Sequence, residues 1–95
     1  MAVGSVEAKT VSREGAAVVH LFAALADIAG RRELLMQIDA PVTVMDVYLR
    51  LCHRFPGLGA YRDRLLFAVN GEYMTPGEPL APGDELCLIP PVSGG

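Results

Sequence analysis

The spacing of apolar positions changes several times along this chain of 95 residues, and each change marks an element. Residues 1–15 hold no sustained period and read as a flexible N-terminal extension. Ala17-Val18-Val19-His20-Leu21-Phe22 is β-branched and aromatic, which suits a strand. Ala23 to Ala29 then favours a short helix, closed by Gly30 where a left-handed backbone is needed. From Arg32 to Asp39, Leu34, Met36 and Ile38 alternate against Glu33, Gln37 and Asp39, predicting a second strand that Pro41 ends. Val44, Val47, Tyr48, Leu51, Cys52 and Phe55 fall on one face of a 3.6-residue helix over 44–55. Thr43 and Asp46 form a capping-box variant at its start, and Pro56-Gly57 supplies the stop.

Leu65 to Val69 reads as a strand, Asn70-Gly71 as a two-residue hairpin turn, and Glu72-Tyr73-Met74 as the return. Pro76-Gly77 and Pro82-Gly83 mark two further turns before a final strand, Glu85 to Ile89. This order predicts an α+β domain over residues 16–89, a mixed sheet with one main helix across it. One helix covers one face of such a sheet, so the other should be polar. The last strand does not comply: Leu86 and Leu88 point one way, Cys87 and Ile89 the other, and all four are apolar. Phe22 raises the same question. Either the short helix covers these residues or an apolar patch faces a partner, and at this size the partner is the favoured reading.

Composition narrows the function classes. With 52% hydrophobic and 20% charged residues the chain can fold, and a length of 95 residues leaves room for one core. A net charge of −3 argues against a nucleic-acid binder, and Arg50, Arg54, Arg62 and Arg64 read as a solvated face. Trp is absent, and the two His and two Cys have no ligand spacing, so neither a metal site nor a self-contained active site is expected. Cys52 belongs to the core stripe and His53 is rotated about 100° away from it. Cys52 and Cys87 are expected to be buried free thiols of a cytoplasmic protein, with no Lys or His placed to lower their pKa. The run Ala16 to Gly30 is preceded by Glu14 and interrupted by His20 and Asp27, which weakens both a signal peptide and a membrane span of about 20 apolar residues.

The chemistry left over lies in the ending Pro90-Pro91-Val92-Ser93-Gly94-Gly95. Prolines favour an extended shape, so six residues at roughly 3.3–3.6 Å each reach about 20 Å from the sheet. Gly94 and Gly95 lack side chains and suit a narrow channel. A terminal carboxyl has a pKa of about 3.3–3.7 and is a poor electrophile at neutral pH, so it needs activation, for example as an acyl-adenylate.

Leu66-Phe67-Ala68-Val69-Asn70-Gly71, the turn Pro82-Gly83-Asp84-Glu85, the opening Val19-His20-Leu21-Phe22-Ala23 to Gly30 and above all the Pro-Pro-Val-Ser-Gly-Gly ending resemble the MoaD family, the small subunits of molybdopterin synthase. The resemblance spans about residues 17–95 and implies a ubiquitin-like β-grasp fold. It further implies that Gly95 is adenylated by an adenylyltransferase akin to ubiquitin-activating enzymes, which uses ATP, and is converted to a thiocarboxylate by a sulfur donor protein. The tail 90–95 would then enter a large subunit, where its sulfur goes to a pterin precursor to build the molybdopterin dithiolene. No tightly bound cofactor of its own is implied, and the chain would be the non-catalytic, sulfur-donating partner. The family's partner-facing apolar residues fall on Phe22, Tyr73 and Ile89. Ala26 stands where some members carry a basic residue, which puts one polar contact to a partner in doubt. Three alternatives remain open: a sulfur carrier for cysteine, thiamine or tRNA thiolation, a ubiquitin-like protein modifier acting through Gly95, and a β-grasp interaction module without tail chemistry. Only Lys9 could accept a further copy of such a modifier.

Overall fold

The computed structural model describes residues 15–38 and 40–91. The extension up to residue 14, Asp39 and the tail residues Val92, Ser93, Gly94 and Gly95 lie outside the described residues.

Strand β1 (Ala16–Leu21) leads into helix α1 (Ala24–Ala29) and strand β2 (Glu33–Gln37). A short β3 (Val42–Thr43) precedes the main helix α2 (Val44–Arg54), and a 3-10 segment (Pro56–Arg64) follows it. The chain then forms β4 (Leu66–Val69), β5 (Glu72–Met74), a short β6 (Pro79–Leu80) and β7 (Glu85–Ile89). The main sheet has the order β2-β1-β7-β4-β5, and β3 pairs with β6 in a separate two-stranded ribbon. β1 and β7 run parallel, with Val19 opposite Leu86 and Leu21 opposite Leu88, while β4 flanks β7 antiparallel on its other side.

Alternation decides which side chains meet the helices. Ala17, Val19 and Leu21 from β1, Phe67 and Val69 from β4, and Leu86 and Leu88 from β7 join Val44, Val47, Tyr48 and Leu51 of α2 in one buried cluster. Leu25 of α1 enters the same cluster, so both helices lie on one side of the sheet. The expected mixed sheet with one main helix across it is therefore the observed architecture, and the expected strands and helices recur with their ends shifted by a residue or two. Phe22 stands just beyond β1 and is not part of it.

Local chemistry fixes the element ends. The capping box at Thr43 is complete: Asp46 N–H donates to Thr43 Oγ1 at 3.0 Å and Thr43 N–H to Asp46 Oδ2 at 3.1 Å. The next two orphan donors of α2 are also satisfied, Val44 N–H by Glu78 O and Met45 N–H by Pro76 O. The small ribbon holds that loop in place, and Leu80 is fully buried beneath it. Asn70 (φ 51°) and Gly71 (φ 88°) provide the positive φ pair of the β4–β5 turn. Asn70 also ties that turn to the start of β7, accepting from Glu85 N–H at 2.9 Å and donating to Asp84 Oδ1 at 3.0 Å.

Two elements have no counterpart in the sequence reading, the β3–β6 ribbon and the 3-10 segment. Pro56-Gly57 ends α2 as expected, but the chain continues as 3-10 turns because Leu58 is captured by the core. Its carbonyl accepts a 2.6 Å hydrogen bond from the Tyr48 hydroxyl of α2. Gly57 lies against α1, where a Cβ would come within 3.0 Å of Ile28 Cγ2.

Candidate functional site at the root of the tail

β7 is hydrogen-bonded on both sides and delivers Ile89, Pro90 and Pro91 to one end of the molecule. β1 ends at that same end, because Leu21 stands opposite Leu88, and so does the start of β4, where Leu66 stands opposite Ile89. Pro90 and Pro91 are thus placed at the edge of the centre of the sheet, and the four remaining tail residues lie beyond them, outside the described residues.

The sheet face away from the helices is apolar on one side. Ile89 pairs with Leu66, and Ala68 pairs with both Cys87 and Tyr73, so these side chains share that face. Tyr73 is 72% exposed and Leu66 52%, whereas Ile89 is half-buried. Leu66 was not among the residues singled out from sequence, although the signal that flagged β7 applies to it: β4 is apolar on both faces. The other half of the face carries the exposed Leu35 together with a polar group around His20. His20 Nε2 lies 2.9 Å from Glu85 Oε1, and its Nδ1 lies 3.7 Å from Glu33 Oε1. The two open readings of the apolar patch divide accordingly: α1 packs on the core side, and no helix among the described residues covers this face.

Phe22 sits at the corner, 46% exposed, and is separated from Tyr73 by the width of the sheet. With Ile89, Pro90 and Pro91 it lines a groove of about 830 Å³ that α1 and the 3-10 segment close on the other side. Ala23 turns the chain out of β1 with φ 51° and ψ −126°, a backbone region that strains any residue with a Cβ. That turn releases Phe22 from the sheet and starts α1 at once, with Leu25 N–H bonded to Phe22 O. Tyr61 and Arg64 form the far wall; the Arg64 guanidinium lies 5.3 Å from the Tyr61 ring centroid and donates from Nη2 to Ala60 O at 3.0 Å. Ala26, by contrast, packs against the core and presents no charge to the groove.

Cys52 and Cys87 are free thiols, both half-buried rather than fully enclosed. Burial, and then the nearby Glu85 carboxylate, push the Cys87 thiol up, which keeps it protonated and weakly nucleophilic at neutral pH. Among the described residues no group of three His, Cys, Asp or Glu is placed to hold a metal ion, and no helix is long and apolar enough to cross a membrane.

A mixed five-stranded sheet with a helix packed across it, and a central last strand running out through Pro90-Pro91, defines a ubiquitin-like β-grasp protein. Within that class, the chain belongs to the ThiS family, whose model matches residues 19–95. It is 36% identical over 80 residues to the molybdopterin synthase sulfur carrier subunit of Homo sapiens, covering 81% of this chain and 91% of that one. It is 41% identical over 83 residues to small archaeal modifier protein 1 of Haloferax volcanii, covering 79% of this chain and 95% of that one. A crystal structure of SAMP1 from Haloferax volcanii is similar with a TM-score of 0.75 at 39% identity, over 85% of this chain and 100% of that chain.

Proposed function

We propose that this protein is the sulfur carrier subunit of molybdopterin synthase, acting through the carboxyl group of Gly95. In this reading an adenylyltransferase of the ubiquitin-activating type joins the carboxylate to AMP from ATP. A persulfide on a sulfur donor protein then displaces AMP to give an acyl disulfide, and a thiol reduces that disulfide, leaving the thiocarboxylate and oxidising the thiols to a disulfide. The tail 90–95 carries that sulfur into the large subunit, where it is passed to a pterin precursor. A thiocarboxylate sulfur is nucleophilic, and the acyl link formed on attack can be hydrolysed to restore the carboxylate. The location is cytoplasmic, where ATP and the partners would be found.

The observation that supports this best is the placement of the tail. Pro90 and Pro91 leave the centre of the sheet beside Phe22, Leu66 and Ile89, so a partner that grips the apolar surface has the tail in reach. The ThiS-family match extends through residue 95, and the human relative is by name a subunit, which implies a companion.

The test is intact mass spectrometry of the protein expressed with its native partners, with fragmentation to place an oxygen-to-sulfur exchange on Gly95. Deletion of Gly95 should abolish molybdopterin formation; full activity of that variant would refute the reading. A second reading, a protein modifier, is favoured by the 41% identity to small archaeal modifier protein 1. It predicts Gly95 in isopeptide linkage to lysines of other proteins, detectable as remnant-bearing peptides after proteolysis.

A further inference from the structure

We propose that the groove between α1 and the 3-10 segment is a receptor notch for one apolar side chain flanked by a carboxylate, both belonging to the protein that receives the tail. This rests on the carrier reading, because it requires such a protein. Three features of the groove lead to it. First, Pro90 and Pro91 line it, so the groove and the tail are continuous, and a protein that encloses residues 92–95 is positioned over it. Second, the walls are largely hydrocarbon: Phe22, Ala24, Tyr61 and the prolines surround about 830 Å³, room for a large side chain and its flanks. Phe22 is 46% exposed there, and covering it removes apolar surface from water.

Third, the charge at the rim is prearranged. Arg64 is stacked on Tyr61 and tethered to Ala60 O, so its guanidinium is held in place before anything binds. Only Nη2 is engaged by that tether, and the remaining N–H groups have no partner among the described residues. Such a fixed fork suits a carboxylate, which it can meet through two parallel hydrogen bonds. Asp27 lines the same groove from α1, yet it forms no ion pair with Arg64. It therefore does not neutralise Arg64, and its own carboxylate repels the incoming one. The two rim charges are predicted to act in opposite directions on the same partner.

The experiment uses the full chain and, as probe, the molybdopterin synthase large subunit of the same organism, titrated calorimetrically at low and at physiological salt. Arg64→Glu should weaken the complex about tenfold or more and flatten its salt dependence. Asp27→Asn should tighten it by about threefold at low salt. Circular dichroism checks that each variant is folded; if Arg64→Glu is not, Arg64→Gln replaces it and should show the same direction of change. Binding of the Arg64 variant within twofold of wild type, with the same salt dependence, overturns the notch. So does a wild-type dimer that Arg64→Glu dissolves while the large-subunit affinity stays unchanged, since the occupant would then be a second copy. Failure of the wild-type chain to bind the large subunit at all refutes the carrier reading and the notch together, which separates that result from the previous two.

Discussion

Among the described residues one side-chain hydrogen bond joins α2 to the 3-10 segment that walls the tail root, and Tyr48→Phe removes it. Tyr48 and Leu58 are both fully buried, and the hydroxyl donates to Leu58 O at 2.6 Å. Phenylalanine retains the ring and its edge-on contact with Phe67, whose centroid is 5.9 Å away, so the packing contribution largely cancels. What is lost is the donor to a buried carbonyl, which costs about 1–3 kcal/mol. For a domain of this size a loss of about 1.5 kcal/mol lowers Tm by roughly 6–12 °C.

A second signature comes from pH. Burial, and then the hydrogen bond with Cys52, push the Tyr48 phenol well above its ordinary value of 10.0. As pH rises, the unfolded chain releases that proton first, so Tyr48 contributes its full stability below about pH 10. Above it the contribution is lost at up to about 1.4 kcal/mol per pH unit. Tyr48→Phe lacks this slope, while Tyr61 and Tyr73 remain in both proteins. Thermal unfolding at pH 7, and urea denaturation at intervals from pH 9 to alkaline values, both followed by circular dichroism, read the two effects. A change in Tm below about 1 °C at pH 7, or an identical alkaline slope in the two proteins, would show that the hydroxyl does not hold the segment.

Three further variants probe other links. Thr43→Ala removes half of the capping box and should cost about 1 kcal/mol in denaturant unfolding at pH 7. The Thr43 backbone N–H, and then the Thr43 side chain, hold the Asp46 carboxyl below its ordinary 3.8, so that stabilisation is present above this value and lost as pH falls through the lowered one; alanine keeps the backbone N–H, so the variant should retain most of the acid limb. Ala23→Gly relieves a φ of 51° at ψ −126°, a strain of roughly 1–3 kcal/mol, against a glycine entropy cost of about 0.4–1 kcal/mol. A net gain of about 1 kcal/mol is expected, and a loss of stability would mean that Ala23 is not strained. Leu66→Asp, on the exposed sheet face, should leave the circular dichroism spectrum intact and abolish co-elution with the large subunit in gel filtration; unfolding would instead place Leu66 in the core.

Most of the fold was legible because local and long-range preferences agree. The stripe from Val44 to Phe55, the Thr43–Asp46 box and the Asn70-Gly71 turn each signal the structure they adopt, and the double-sided apolarity of β7 revealed a face that neither α1 nor α2 covers. The groove was not legible, for a physical reason. Its walls come from residues near 22–27, 61–64 and 89–91, which only the closed sheet brings together, and no local pattern joins them. The 3-10 segment hid for the same cause, since Leu58 is held by a tertiary bond to Tyr48 after an apparent helix stop. Ala23 carried no warning either, because a positive φ without glycine leaves no mark in the sequence.

The parallel pairing of β1 with β7 has a mechanical consequence. A partner that draws the tail into a narrow channel pulls along the axis of β7, a strand bonded to β1 on one flank and to β4 on the other. Force in that direction loads both rows of hydrogen bonds together, in shear, instead of opening them one at a time from a free edge. Had the tail grown from β5 at the sheet margin, the same pull could have peeled that strand away. In the proposed carrier cycle, a tail rooted at Pro90 in the middle of the sheet would let a partner pull on it while β1 and β4 share the load.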